Sequence, residues 1–245
     1  MRLNRFLAAA GLGSRRSCEQ LISSGVVVIN GHRIDNLATI VGPADEVRVK
    51  GRPVRTAAPV TLLLNKPRGY VVTRSDERGR RTVYDLLEEG HANLFHVGRL
   101  DKESEGLLLM TNDGALSQKL LHPSHGVEKE YEVGLDKPFD PEFTAKLLRG
   151  VHIEGGRGRF ESLRIVGPKI LRVVLKQGIK RQIRLMLYRL GYEVESLRRV
   201  RMGPLTDFKL PPGAWRPLTS KELDLLSKSS KPARRPSGHV RQNSR

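Results

Sequence analysis

At 245 residues the chain is long for one ordinary domain and short for three, so one large domain with a small appendage is expected. Forty-four Lys and Arg face 26 Asp and Glu, and the net charge of +18 calls for a polyanionic partner; nucleic acid fits better than membrane, since no apolar run approaches the ~20 residues that span a bilayer. A single cysteine, Cys18, excludes an intramolecular disulfide and any multi-cysteine zinc site and suits a reducing cytoplasm, and the N-terminus lacks the continuous apolar stretch of an export signal.

Leu3, Phe6, Leu7 and Ala10 repeat at helical spacing and stop at Gly11-Leu12-Gly13. Ser14 can cap a second helix carrying Cys18, Leu21 and Ile22 on one side, with Gly25 beyond its end. The β-branched run 26–29 leads into Asn30-Gly31, the commonest short hairpin signal; residues 32–34 return, and 47–49 form another alternating strand. Arg2, Arg5, Arg15 and Arg16 sit on or beside the two helices, where they can grip phosphates without reading sequence. The order of helix, Ser-Arg-Arg helix, strand and Asn-Gly turn resembles the RNA-binding domain first known from ribosomal protein S-four. Residues 1–50 are assigned to this unit and 51–59, with a glycine and two prolines, to a linker.

From residue 60 strands dominate. Runs 60–64, 70–73, 94–97, 107–111, 131–133, 170–175 and 192–194 are short and apolar or alternating. Helical composition marks 115–121, 141–148, 182–190 and 221–226, and Gly191 is a good terminator for the third. The predicted class is α+β: a small helix-rich unit, then a domain spanning 60–228 with a mixed, mainly antiparallel sheet and flanking helices. Residues 229–245, basic and without acids, read as a disordered tail.

No Cys-x-x-Cys or His-Glu-x-x-His is present, so no metal site is predicted, and no cofactor is. Gly155-Gly156-Arg157-Gly158 has the spacing of neither a Walker nor a dinucleotide-binding loop and reads as a hairpin turn. What stands out is Phe95-His96-Val97-Gly98-Arg99-Leu100-Asp101, a strand entering a glycine-opened loop with an acid between Arg99 and Lys102. Adjacent cations favour an ionised carboxylate, suited to a nucleophile or general base. Taken alone, Arg-Leu-Asp more often marks a turn cap or a structural ion pair.

Residues 98–114, in which Gly98-Arg99-Leu100-Asp101 is followed by Gly106-Leu107-Leu108-Leu109-Met110-Thr111-Asn112-Asp113-Gly114, closely resemble the signature of the bacterial ribosomal RNA pseudouridine synthases of the RsuA/RluB family. Further segments agree in order: Asn65-Lys66-Pro67-Arg68-Gly69, Lys129-Glu130-Tyr131-Glu132-Val133, Gly178-Ile179-Lys180-Arg181-Gln182-Ile183-Arg184, and Leu197-Arg198-Arg199-Val200-Arg201-Met202-Gly203-Pro204-Leu205. Ser104 and Leu185 stand where the family often has threonine and arginine.

The resemblance implies an enzyme that detaches uracil from ribose, turns the ring and reattaches it through carbon five, without cofactor. It makes Asp101 the essential carboxylate, attacking the sugar or assisting glycal formation, Tyr131 the aromatic against the target base, and Arg184 the cation pairing with Asp101. Arg99, Lys66, Lys180 and Arg181 are then read as contacts to RNA. The implied partner is ribosomal RNA or an assembling ribosomal subunit, the implied compartment the cytoplasm, with monomer as the default state. A noncatalytic RNA-binding or ribosome-assembly protein of the same fold is the rival reading.

Overall fold

The computed structural model describes residues 1–88, 90–91, 93–122 and 126–229. Near the N-terminus, α1 (Leu3–Ala9) and α2 (Arg15–Ser23) turn Leu3, Leu7, Cys18 and Ile22 inward. Ser14 caps α2, its hydroxyl accepting from the Ser17 N–H at 3.1 Å. The helices cover a sheet of β1 (Val27–Ile29), β2 (His32–Ile34), β3 (Val47–Val49) and β4 (Arg52–Val54), ordered β2-β1-β3-β4. Asn30 and Gly31 take φ 51° and 84°, the paired positive values that a two-residue turn matched to strand twist requires. The segment read as a linker therefore contributes a strand: Arg52–Val54 pairs with β3, and Pro53 is tolerated because β4 is an edge.

The larger sheet is built from β5 (Thr61–Lys66), β6 (Phe95–Val97), β7 (Glu105–Thr111), β8 (Lys129–Leu135), β11 (Ser162–Gly167), β12 (Ile170–Leu175), β13 (Val194–Met202), β14 (Leu205–Thr206) and β15 (Trp215–Pro217). Its order is β11-β12-β8-β13-β7-β5-β15, with β14 on β13 and β6 on β7. Every pairing is antiparallel except β13 with β7, so the mixed, mainly antiparallel α+β expectation holds. A separate hairpin joins β9 (Val151–Ile153) and β10 (Gly156–Gly158).

β5 and β7 are apolar runs rather than alternations because both their faces are buried. Leu62, Leu64, Leu108 and Met110 face one core, closed by Leu147 of α4 (Thr144–Arg149) and by Ile183, Met186 and Leu187 of α5 (Gln182–Tyr188). Leu63, Leu107 and Leu109 face the other, under Leu116 and Leu120 of α3 (Gly114–Leu121) and Leu226 of α6 (Ser220–Ser229).

Two sequence readings fail here. Residues 70–73 are not a strand, Val71 forming one bridge with Thr82, and the strand read at 192–194 starts only at Val194 and runs on to Met202. β11, β14 and β15 lie where no strand was predicted. Ser229 ends α6, and the rest of the expected tail, 230–245, lies outside the described residues. Among the described residues no helix is long and apolar enough to cross a membrane.

Candidate active site

The antiparallel and parallel registers of the large sheet line up one row of residues on a single face: Lys66 on β5, Gly106 on β7, Arg199 on β13, Tyr131 on β8 and Val173 on β12. The row is tight at Gly106, which takes φ 103°; a Cβ there would lie 2.2 Å from the Arg199 carbonyl oxygen, so only glycine allows β7 and β13 to meet. At this end of β7 the chain arrives from the loop carrying Asp101, so that loop lies against the row.

The loop's carbonyls from 101 to 104 are all engaged. The Asp101 carbonyl accepts from the Ser104 N–H at 3.0 Å and the Lys102 carbonyl from the Gly69 N–H at 2.9 Å. Arg184 Nη2 reaches the Glu103 carbonyl at 3.5 Å, and Lys66 Nζ donates to Ser104 O at 2.6 Å, Lys102 O at 3.3 Å and Pro67 O at 3.0 Å. Four consecutive carbonyls thus have donors, and the half-buried Asp101 stands on a fixed backbone. Leu100 anchors the same loop from below, in one apolar cluster with Tyr131 and Ile183.

Two expected roles change. Lys66, read as a phosphate contact, is fully buried, and three carbonyls take up its ammonium, leaving no donor for RNA. Burial pushes its pKa down to about 8, against the opposing charges of Glu103, Asp101 and Glu105. Arg184, expected to pair with Asp101, makes no ion pair with it. Its Nη1 donates to Val194 O at 2.6 Å and its Nη2 reaches the Glu103 carbonyl at 3.5 Å, while its buried Nε has no partner among the described residues. Burial lowers the Arg184 pKa and the charge of Arg181 adds to this, whereas Asp101 raises it, a mark of its proximity.

Tyr131 is 8% exposed and packs among Leu100, Val173 and Ile183. Arg99, Lys180 and Arg181 are exposed beside the site, as are Arg2, Arg5, Arg15 and Arg16 on the small domain. Arg181 takes the left-handed φ of 55° where the chain enters α5. His96 donates from Nδ1 to Gly98 O at 2.9 Å, bracing the loop's entry; burial lowers its pKa.

Two residues beside the row were missed as site residues. Arg199 is 2% exposed, donates from Nε to Leu107 O at 2.6 Å, and leaves Nη2 buried without a partner among the described residues. Lys129, two positions before Tyr131 and so on its face, has its pKa lowered to about 8 by burial, with Arg199 adding to the effect. Both lie in segments quoted for their family likeness, but only strand register places their side chains on the Tyr131 face. A shallow concavity on the opposite face, at Glu130, Arg164, Arg172 and Arg201, is crossed by ion pairs such as Arg201–Glu130 at 2.8 Å and holds none of these groups. Among the described residues no three His, Cys, Asp or Glu are gathered to hold a metal ion.

An α+β domain with a carboxylate loop, a tyrosine strand and an arginine helix, joined to a small basic helix-and-sheet unit, matches an RNA-modifying class. The RNA pseudouridylate synthase family model matches residues 60–188 and the S4 domain model residues 1–47. The chain belongs to the RNA pseudouridylate synthase family. It is 40% identical over 235 residues to an uncharacterised RNA pseudouridine synthase of Mycobacterium tuberculosis, covering 92% of each chain. To the dual-specificity RNA pseudouridine synthase RluF of Escherichia coli K12 it is 38% identical over 226 residues, covering 91% of this chain and 77% of the relative. A crystal structure of a pseudouridylate synthase superposes with TM-score 0.68 at 28% identity, covering 92% of this chain and 99% of that one.

Proposed function

We propose that this enzyme isomerises a specific uridine of ribosomal RNA, free or in an assembling subunit, to pseudouridine, with Asp101 as the essential carboxylate. What supports the assignment is the pinned loop: carbonyls 101–104 all have donors, one of them Arg184, and the loop leads into β7, whose Gly106 belongs to the same row as Tyr131. The rival noncatalytic reading gives no reason to fix one carboxylate so firmly, and family membership favours chemistry.

The target base must first leave its stack, at a cost of a few kcal/mol. Tyr131 then packs against it, while Arg99, Lys180 and Arg181 hold adjacent backbone. Asp101 acts on the ribose, either bonding to C1′ as uracil leaves through N1, that bond breaking again when carbon five attacks, or taking the C2′ proton to form a glycal and returning it as carbon five adds; C5 then loses its proton and N1 gains one. No electron is gained or lost, so no cofactor is required. The N-terminal unit docks RNA through Arg2, Arg5, Arg15 and Arg16, and the enzyme works in the cytoplasm as a monomer.

The test is Asp101→Ala. Pseudouridine formation in ribosomal RNA transcripts should disappear while RNA affinity stays within about twofold, and a wild-type enzyme that forms no pseudouridine sinks the reading. Mapping pseudouridines in ribosomal RNA from a deletion strain should reveal a missing site and so name the substrate.

A further inference from the structure

The segment Gly155-Gly156-Arg157-Gly158 has no part in the isomerisation, yet it is built into the wall of the site. β9 and β10 pair with Gly156 opposite Ile153 and Gly158 opposite Val151, so Glu154 and Gly155 make the turn. Gly158 lies so close to α5 that a Cβ would sit 3.0 Å from Met186 Sδ and 3.1 Å from Gln182 Cγ. Gln182, 3% exposed, donates from Nε2 to Arg159 O at 3.0 Å and to Gln177 Oε1 at 2.9 Å. Gln177 Oε1 also accepts from the Arg159 N–H at 3.0 Å, and Gln177 Nε2 donates to Arg157 O at 3.3 Å. Two glutamines therefore lock the hairpin, the loop before α5 and the first turn of α5 into one piece.

The outer side of that piece is cationic. Arg157, Arg159, Lys180 and Arg181 are all exposed. Arg157 donates to a carbonyl, Arg149 O at 3.0 Å, and has no carboxylate partner among the described residues; Arg159 has Glu161 at 3.2 Å. A loose basic loop suffices for solubility, but a buried amide network that fixes the backbone carrying Arg157 and Arg159 does not follow from it. Fixed cations on a rigid edge suit a polyanion with regularly spaced charges. The edge continues through Arg181 to Arg184, which holds the loop of Asp101.

We propose that the β9–β10 hairpin and the loop before α5 form a phosphate-binding ridge that grips the RNA backbone flanking the target uridine. This rests on the reading of ribosomal RNA as substrate, and it assigns the hairpin arginines a role in binding and none in chemistry. Without Arg157 and Arg159 the complex should release fewer counterions, so its affinity should depend less steeply on salt.

The experiment measures affinity of the full chain for small- and large-subunit ribosomal RNA transcripts between about 50 and 200 mM salt, where such contacts are read most directly. Replacing both side chains, Arg157→Gln with Arg159→Gln, should reduce the slope of log affinity against log salt by roughly 1.5, at about 0.7–0.9 per contact. Arg157→Lys with Arg159→Lys should restore the slope, Arg164→Gln on β11 should leave it unchanged, and the rate at saturating RNA should match wild type for all. A slope for the glutamine pair equal to that of wild type overturns the ridge. If the pair does not fold, Arg157→Gln alone, expected to lower the slope by roughly 0.8, decides in its place. A reduced slope in an enzyme that makes no pseudouridine would keep the ridge and remove the isomerase, so the two failures are distinguishable.

Discussion

Replacing Lys66 with methionine separates its structural role from any contact with RNA. The side chain is fully buried and its ammonium serves Pro67, Lys102 and Ser104 carbonyls. In Lys66→Met the Lys102 carbonyl keeps the Gly69 N–H, so two carbonyls lose their donor, at about 1–3 kcal/mol each. Against this, the ammonium's own desolvation is relieved: a fall from 10.5 to about 8 corresponds to about 3 kcal/mol. The net loss of stability is only about 1 kcal/mol, measurable by urea denaturation. The loop carrying Asp101 loses its donor at Ser104 O and one of the two at Lys102 O, however, and a displacement near 1 Å costs on the order of 10²-fold in rate. Single-turnover pseudouridine formation should therefore fall far more than stability does.

The pH dependence gives an independent check. Between about pH 8 and 10.5 the folded protein holds Lys66 neutral while the unfolded chain is still protonated, so the unfolded state binds more protons and stability rises with pH. Lys66 alone should add about 1 kcal/mol between pH 8 and 9, where it is still partly protonated in the folded protein. Lys129, also lowered to about 8, adds in the same direction and persists in the variant. A Lys66→Met enzyme that keeps both the wild-type rate and the wild-type pH slope refutes the reasoning.

Other substitutions test neighbouring parts of the frame. Gly106→Ala drives a Cβ to within 2.2 Å of the Arg199 carbonyl at φ 103°, and should cost about 3 kcal/mol or more in urea unfolding, with loss of activity. Arg184→Lys keeps the charge but loses the fork that spans Val194 O and Glu103 O; kcat should fall at least tenfold in single-turnover assays while RNA affinity changes little. Glu222, held down to about 2 by its ion pair with Arg216, gives stability that is present above pH 4.5 and lost as pH falls towards 2. Glu222→Gln should cost about 1 kcal/mol at pH 7, after allowance for solvent screening of the partly exposed pair, and the gap to wild type should narrow in melts from pH 5 to 3.

Much of the fold was legible because its signals are local. Ser14 as a cap, Asn30-Gly31 as a turn and the leucine runs of β5 and β7 each follow from a few adjacent residues. β13 was hidden because Arg198, Arg199 and Arg201 break its apolar pattern. Yet Arg199 is buried, and Arg201 pairs with Glu130 of the neighbouring strand and with Glu128 just before it, a match that only pairing reveals. Residues 70–73 have strand composition but a single bridge, since β15 already occupies the free edge of β5. Lys66 looked like surface because a lysine beside proline and glycine ordinarily is; its burial depends on carbonyls 36 and 38 positions further along the chain.

The site itself was legible as motifs and illegible as geometry, and the sheet explains why. Residues from five strands come together in one row because β13 enters between β7 and β8, parallel to the first and antiparallel to the second. That insertion puts a charged strand through the middle of an apolar sheet, and it requires a residue without a side chain at the crossing, which is Gly106. The glycine five positions after Asp101 is therefore a condition for the sheet to close beneath the loop, as well as a part of the loop's signature. Arg199, facing the same gap, puts a fixed positive charge with one buried donor free in the row itself. Order along the chain and order across the sheet thus describe a single constraint: the motifs occur together because each supplies one strand's share of the row.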